Sequence, residues 1–308
     1  MKQLSTMFSR LLAARMRPAR RRAAGQVLAL MLAPALAQAA LPGPVIPISD
    51  SSLDVPYVQT PDNVVQAMLD LGAITDKDFV IDLGSGDGRL LITAAVERGA
   101  RGFGVDIDPN LVALANRRAQ EAGVADRARF LEQDLFETDL SQATVIMMYL
   151  LPDVNIKLRP RLLATVQPGT RVVSHDYGFG DWEPDRTVTV DAPDKPVNKL
   201  KQSDLLLWIV PADVEGRWVQ PGTRADDPAA ASLQLQQQYQ HLSGTLLLDG
   251  VALPIEQGRM NGRAISFTVA HAGSDYVFEG ESQGDRLQGS LRPAKGGPAR
   301  NLSFVRGS

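Results

Sequence analysis

Apolar and polar positions follow two rhythms along this chain, and the rhythm changes once. From about residue 60 to residue 210, apolar runs of strand length alternate with segments of helical spacing. Thr60-Pro61 opens a predicted helix, with Pro at its first position and Val64, Val65, Met68, Leu69 and Leu71 on its apolar face. FVIDL (79–83) reads as a buried strand, residues 88–98 as a helix and GFGVDI (102–107) as a strand. Residues 109–123 read as a helix, with Leu111, Val112, Leu114 and Ala115 at helical spacing and Gly123 at its end. ARFLEQ (128–133) and ATVIMMYL (143–150) are predicted strands, and 153–166 a predicted helix in spite of Pro160. TRVVSHD (170–176), RTVTV (186–190) and DLLLWIV (204–210) complete the set of strands. Strands alternating with helices predict an α/β fold, a parallel sheet covered on both faces.

After Pro211 the helical period disappears. Short alternating runs take over: SLQLQQQYQ (232–240), GTLLLDG (244–250), RAISFTVA (263–270), YVFEGES (276–282), RLQGSLR (286–292) and NLSFVR (301–306), punctuated by glycines. Strands of this length and spacing predict a small all-β C-terminal domain, an antiparallel meander closed as a barrel or folded as a sandwich. The predicted plan is a leader over 1–40, a linker over 41–56, an α/β domain over 57–211, a linker over 212–231 and a β domain over 232–308.

Charge changes the picture at the N-terminus. No acidic residue precedes Asp50, whereas Lys2, Arg10, Arg15, Arg17, Arg20, Arg21 and Arg22 are basic. An apolar run from Val27 to Ala37 follows, then Ala37-Gln38-Ala39, the small-x-small pattern of a signal-peptidase site. The run is too short for a transmembrane helix of about 20 residues. The leader predicts export to the periplasm or envelope, or association with the inner membrane; a leader without function would leave the protein cytoplasmic. Removing its seven basic residues lowers the net charge from −3 to −10. Such a body is a poor general binder of phosphate backbones, so nucleic acid is not the expected partner. The absence of cysteine excludes disulfides, thiolate metal sites and cysteine nucleophiles. No other residues have metal-ligand spacing.

The candidate chemistry begins at Asp82-Leu83-Gly84-Ser85-Gly86-Asp87-Gly88, between the first strand and a helix. Three glycines in five residues let a ligand approach the backbone at the carboxyl end of a sheet. A dinucleotide fingerprint needs a glycine where Arg89 stands, so that pattern is broken. Acidic residues before and inside the loop would repel a pyrophosphate and suit a cofactor bearing an ammonium and a sulfonium. Asp106, at the tip of the next strand, can accept ribose hydroxyls, and Asp134 after the third strand can accept from an adenine amino group. Three carboxylates at successive strand ends behind this loop point to S-adenosyl-L-methionine.

The loop resembles the first motif of the class I, seven-stranded, Rossmann-like methyltransferases. By that resemblance Asp82, Gly84 and Gly86 line the methionine part of the cofactor, Asp106 the ribose and Asp134 the adenine, and Ser85, Ile107, Leu135 and Thr60 are expected to bind the cofactor beside them. VPYVQTP (55–61), DLGSGDGR (82–89), DLFETDLS (134–141), YLLPDVNIKLRP (149–160) and GTRVVSHDYGFGDWEPD (169–185) are similar to the family with sequence similarity 173. Its animal members are mitochondrial protein-lysine methyltransferases acting on membrane proteins, so a protein lysine is the implied acceptor. Tyr149 follows the fourth strand, where the superfamily places its acceptor site; Tyr57 and Thr60 precede the first helix and would close over the methyl, and Asn155 would hold the loop. His175 reads as structural. Trp182 with Asp181, Glu183 and Asp185 is expected near the substrate entrance. A small-molecule or rRNA acceptor would use the same cofactor site. The reading outside enzymes is a non-catalytic envelope binding protein, motivated by the leader, because the cofactor is made in the cytoplasm. The sequence leaves oligomeric state open.

Overall fold

The computed structural model describes residues 57–196, 200–222 and 231–307. The basic leader, its apolar run, the Ala37-Gln38-Ala39 site and the segment 41–56 lie outside the described residues.

Among the described residues the α/β part contains α1 (Asp62–Leu71), β1 (Phe79–Leu83), α2 (Arg89–Arg98), β2 (Arg101–Asp106), α3 (Pro109–Glu121), β3 (Ala128–Glu132), β4 (Val145–Met148), α4 (Pro152–Thr165), β5 (Arg171–His175), β6 (Arg186–Asp191) and β7 (Gln202–Ile209). Pro61 caps α1 from one position outside it. Pro160 lies inside α4, and the helix continues past it. The sheet order is β3-β2-β1-β4-β5-β7-β6. β1 to β5 run parallel, whereas β7 is antiparallel to both β5 and β6. The sheet thus departs from the purely parallel expectation at β7, which follows β6 after the short connection 192–201, pairs back along it and lies between β6 and β5.

Side chains alternate between the two faces with the period of a strand. Val80, Val145, Met147, Val173, Leu205 and Leu207 pack with α1, α2 and α3. Ile81, Leu83, Ile146, Met148, Val172 and Trp208 pack on the other face with Leu158 and Leu162 of α4. Each buried residue of this size contributes about 1.5–3 kcal/mol relative to exposure. Strand order reverses between β1 and β4, so their carboxyl ends part and open a crevice, the place where open α/β sheets bind ligands.

The C-terminal part is an antiparallel barrel. Its strands are β8 (Gly216–Val219), β9 (Ser232–Gln238), β10 (His241–Leu248), β11 (Val251–Pro254), β12 (Glu256–Asn261), β13 (Ala264–His271), β14 (Ser274–Gln283), β15 (Arg286–Pro293) and β16 (Arg300–Arg306). The order β10-β12-β13-β14-β15-β16-β8-β9 closes through a β9–β10 pairing, and β11 precedes β12 along the same edge of β10, opposite β9. Closure removes the free edges an open sheet would expose. Trp218, Leu235, Leu246, Phe267, Phe278 and Phe304 fill the interior. The stretch 212–231, read as a linker, therefore contains a barrel strand. β8 forms because Trp218 is fully buried and its indole N–H donates to the Val214 carbonyl at 2.8 Å.

Candidate active site

β1 delivers the glycine loop to the crevice, and backbone contacts hold it there. The Gly84 and Ser85 amides both donate to the Val105 carbonyl at 2.9 Å. The Gly86 amide donates to Asp106 Oδ2 at 2.8 Å, and the Asp108 amide to Asp106 Oδ1 at 3.0 Å. Gly84 and Gly86 take φ of 72° and 53°, a conformation that glycine enters without steric cost. Space is equally short: a Cβ at Gly86 would stand 2.5 Å from Tyr57 Cε2, and one at Gly84 2.7 Å from Leu150 Cδ2. Ile107 is 58% exposed beyond Asp106, an apolar surface at the same strand end. Asp134 is exposed after β3, accepting the Phe136 amide at 2.8 Å, with Leu135 half-buried beside it.

Asp82 and Asp87 have opposite environments. Asp82 is buried, and neither of its oxygens, nor Ser85 Oγ, has a hydrogen-bond partner among the described residues. Burial, with the charges of Asp106 and Asp87 nearby, pushes its carboxyl up to about 8. Burial also acts upward on Asp87, but hydrogen bonds from Arg89 and the charges of Arg89 and Arg118 outweigh it and hold that carboxyl below its usual range. Arg89 Nη2 lies 2.7 Å from Asp87, and Arg118 pairs with the same carboxylate. This corrects the sequence expectation: Asp87 is committed to two arginines, and the acidic side chains at the ends of β1 and β2 that carry no ion pair among the described residues are Asp82 and Asp106.

The second half of the crevice is made of side chains. Tyr149, directly after β4, donates its hydroxyl to Asp176 Oδ2 at 3.2 Å and lies against the His175 ring, centroids 3.9 Å apart. Tyr177 stacks beyond it, with centroids 6.2 Å apart. Lys195, 1% exposed, reaches the same Asp176 oxygen at 2.6 Å and donates to the Gln202 carbonyl at 2.8 Å. Asp176 has a φ of 65°, a left-handed conformation that aspartate tolerates better than most residues. His175 shares hydrogen bonds with Thr60 Oγ1 at 3.3 Å and Ser203 Oγ at 2.8 Å. Burial drives its pKa down to about 4, Lys195 adding to the effect against Asp176, so it is neutral at pH 7 and a poor general base. Asn155, fully buried in α4, donates to the Tyr177 carbonyl at 3.0 Å.

The structure thus brings the sequence-read residues into two adjoining groups. Asp82, Gly84, Ser85, Gly86, Asp106 and Ile107 surround the glycine loop, with Asp134 and Leu135 at the next strand end. Tyr149 and Thr60 join the His175 cluster, and Asn155 braces it. Tyr57 connects the two, its ring on Gly86 and its buried hydroxyl unpartnered among the described residues. Burial and the Asp87 charge push that phenol up to about 12. Thr60 also joins the groups, its carbonyl accepting from Arg89 Nη1 at 2.8 Å. Sequence reading misses Asp176 as a ligand for Tyr149 and misses Lys195 and Ser203 altogether; the His-Asp pair at a strand end is the available signal. In the segment expected near the substrate entrance, Asp181 and Glu183 are exposed and Trp182 is not. Trp182 is buried, Asp181 pairs with Arg159 and Asp185 with Arg259 of the barrel.

A buried, unpartnered carboxylate beneath a left-handed glycine loop, with Asp106 beside it, fits a cofactor carrying an ammonium and a sulfonium. Sheet order, switch-point crevice and these acidic residues define a class I S-adenosylmethionine-dependent methyltransferase. Comparison with known proteins gives the family. The family described as the ANTKMT methyltransferase domain matches residues 82–186. A protein-lysine N-methyltransferase of Saccharolobus islandicus is 41% identical over 138 residues, 44% of this chain and 86% of that protein. The adenine nucleotide translocase lysine N-methyltransferase of Mus musculus is 34% identical over 133 residues, 43% of this chain and 57% of its own length. The chain thus spans most of the archaeal relative and little more than half of the mouse one. A crystal structure described as an RNA methyltransferase from Salinibacter ruber, in complex with S-adenosyl-L-homocysteine, has 49% identity and a TM-score of 0.46, covering 51% of this chain and 96% of that one. The chain belongs to this family of methyltransferases, and S-adenosyl-L-methionine is its cofactor.

Proposed function

We propose that this protein methylates the side-chain nitrogen of lysine in a protein substrate. The observation that carries the reading is its 41% identity across 86% of an archaeal protein-lysine N-methyltransferase. The half-buried tyrosine and carboxylate cluster at the carboxyl ends of β4 and β5 supports it. The cofactor supplies an electrophilic methyl group on a sulfonium. Asp82, Gly84, Ser85 and Gly86, with Asp106, Ile107, Asp134 and Leu135, would hold it.

On the acceptor side the chain has three tasks. A lysine ammonium has an ordinary pKa of about 10.4 and must release a proton to solvent before its nitrogen can take the methyl, the sulfonium leaving as a neutral thioether. Half-buried aromatic walls, Tyr57 and Tyr149, would exclude water and disfavour the charged form. Because the Tyr149 hydroxyl already donates to Asp176, its oxygen can only accept from the incoming nitrogen, which fixes where that nitrogen sits. Lys195 balances the Asp176 charge; without it Asp176 would be a half-buried anion lacking its cation. Asn155 and Thr60 act one step back, on the Tyr177 carbonyl and His175.

The test is incubation of the full chain with S-adenosylmethionine labelled in the methyl group and with cell extract, followed by separation of protein, RNA and small metabolites. Label in protein is expected, reduced in the Tyr149→Phe variant. Label in RNA or metabolites with none in protein would refute the lysine reading.

A further inference from the structure

Two barrel residues sit in a place that turn chemistry does not explain. β9 and β10 form a hairpin in which Gln238 pairs with His241, leaving Tyr239 and Gln240 as a two-residue turn. Tyr239 takes a φ of 54°, at a position where glycine, asparagine or aspartate is the favoured residue. A bulky residue held in this conformation is strained, and such strain persists where surrounding contacts enforce it.

Those contacts are with the loop that follows β5. The Tyr239 ring stacks on Trp182, with centroids 5.7 Å apart and planes at 21°, and its hydroxyl donates to Asp181 at 3.1 Å. The Gln240 side chain, 1% exposed, grips the loop from both ends of its amide. It accepts from the Trp182 indole at 2.9 Å and donates to the Glu183 carbonyl at 2.8 Å. Arg259 of β12 pairs with Asp185 at 2.7 Å. From the other side Arg159 of α4 donates to the Phe179 carbonyl at 2.6 Å and pairs with Asp181, while the Trp208 indole donates to the Trp182 carbonyl at 2.9 Å.

The same loop begins with Asp176 and Tyr177, which hold Tyr149 and Asn155. None of the hydrogen bonds, ion pairs or ring contacts described for the glycine loop, Asp106 or Asp134 comes from the barrel. The barrel is therefore attached to one half of the crevice.

We propose that the β9–β10 turn is a positioning element for the acceptor side: Tyr239 and Gln240 clamp residues 181–183 and thereby hold Asp176 and Tyr177 where they orient Tyr149. The catalytic consequence rests on the lysine reading above; the mechanical one does not. Barrel and glycine loop are uncoupled in this account, so loosening the clamp leaves cofactor affinity unchanged.

The test uses the full chain with Gln240→Ala, Tyr239→Ala and Tyr239→Phe, and with His271→Ala on the β13–β14 hairpin as the control. Amide hydrogen exchange, cofactor titration by calorimetry and methyl transfer to extract protein are measured on each. For Gln240→Ala and Tyr239→Ala, exchange at 176–183 is expected to quicken about tenfold or more, from the loss of buried hydrogen bonds and ring packing. Exchange at 84–88 and the cofactor Kd stay within about twofold, and transfer falls about tenfold. Tyr239→Phe keeps the stack and should lose only a few-fold. His271→Ala should change none of these. Unchanged exchange at Asp176 and Tyr177 in both alanine variants would overturn the proposal, as would a fall in cofactor affinity parallel to the fall in transfer. Quickened exchange with undiminished transfer would overturn its catalytic part. A wild type that labels no protein refutes the lysine reading instead, and the exchange arm still decides whether the clamp reaches Asp176.

Discussion

The two halves of the crevice are built by different means. Around the glycine loop the contacts are made by backbone amides and join strands adjacent in the sheet: Gly86 reaches Asp106, 20 positions away, and Gly84 and Ser85 bind the Val105 carbonyl. Around Tyr149 the contacts are made by side chains drawn from segments far apart in the chain. Thr60 meets His175 across 115 positions, Asn155 meets Tyr177 across 22, and Trp182 meets Gln240 of the barrel across 58. A site closed by its own backbone is fixed by a short motif. A site assembled from distant side chains can be reshaped one segment at a time, while the cofactor half stays as it is.

Breaking this contrast is most direct at Asp106, where one carboxylate both receives the Gly86 amide and faces the crevice. Asp106→Ala is expected to weaken S-adenosylmethionine binding about 100-fold, since hydrogen bonds to charged groups contribute about 1.5–3 kcal/mol each. Calorimetric titration measures this. A loss under threefold would place the cofactor elsewhere.

Asp82 offers a pH handle on the same half. Its carboxyl is pushed up to about 8 in the folded protein, from an ordinary value of 3.8. Between about pH 4 and pH 8 the folded chain therefore binds a proton that the unfolded chain has lost, and this contribution to stability falls as pH rises across that window. Above pH 8 the dependence ends. Asp82→Asn should remove it, so the difference in thermal unfolding between variant and wild type, measured without cofactor, should vary between pH 5 and pH 8 and flatten above. A cationic cofactor favours the ionised form, so its affinity for the wild type should rise towards pH 8, by up to about tenfold per unit. A pH-independent affinity in the wild type would remove Asp82 from the cofactor's surroundings.

On the acceptor half a single hydroxyl sharpens the contrast. Tyr149→Phe removes the oxygen that faces the incoming nitrogen while the ring stays on His175. Transfer should slow about tenfold, the loss of one hydrogen bond of about 1–1.5 kcal/mol, with the cofactor Kd within twofold of wild type. Equal losses in binding and transfer would mean that the two halves are one.

The same contrast explains what is legible in the sequence. The glycine loop, Asp106 and Asp134 can be read because their roles follow from position at the end of a strand. Tyr149 is marked by its place after β4, yet its partner Asp176 and that partner's cation Lys195 meet across 19 positions with no spacing rule to connect them. Asp87 escapes a correct reading for the same reason. One of its arginines, Arg118, lies 31 positions along the chain on another helix. The attachment of Trp182 and Asp185 to the barrel is not legible either, because their partners, Gln240 and Arg259, follow by 58 and 74 positions. β8 is hidden by its four-residue length within a stretch rich in Pro, Ala and Asp, although Trp218 marks it. The Tyr239-Gln240 turn leaves a trace in the sequence, as a hairpin made from residues that hairpins avoid.

A lysine side-chain nitrogen is the proposed acceptor atom. The direct measurement is complete hydrolysis of protein labelled by the full chain and chromatography of the released methylated amino acids. Methyl-lysine carrying the label, and a matching loss of that peak in Tyr149→Phe, is the predicted result. Label confined to another methylated amino acid, or protein that releases no labelled methyl-lysine, would contradict it.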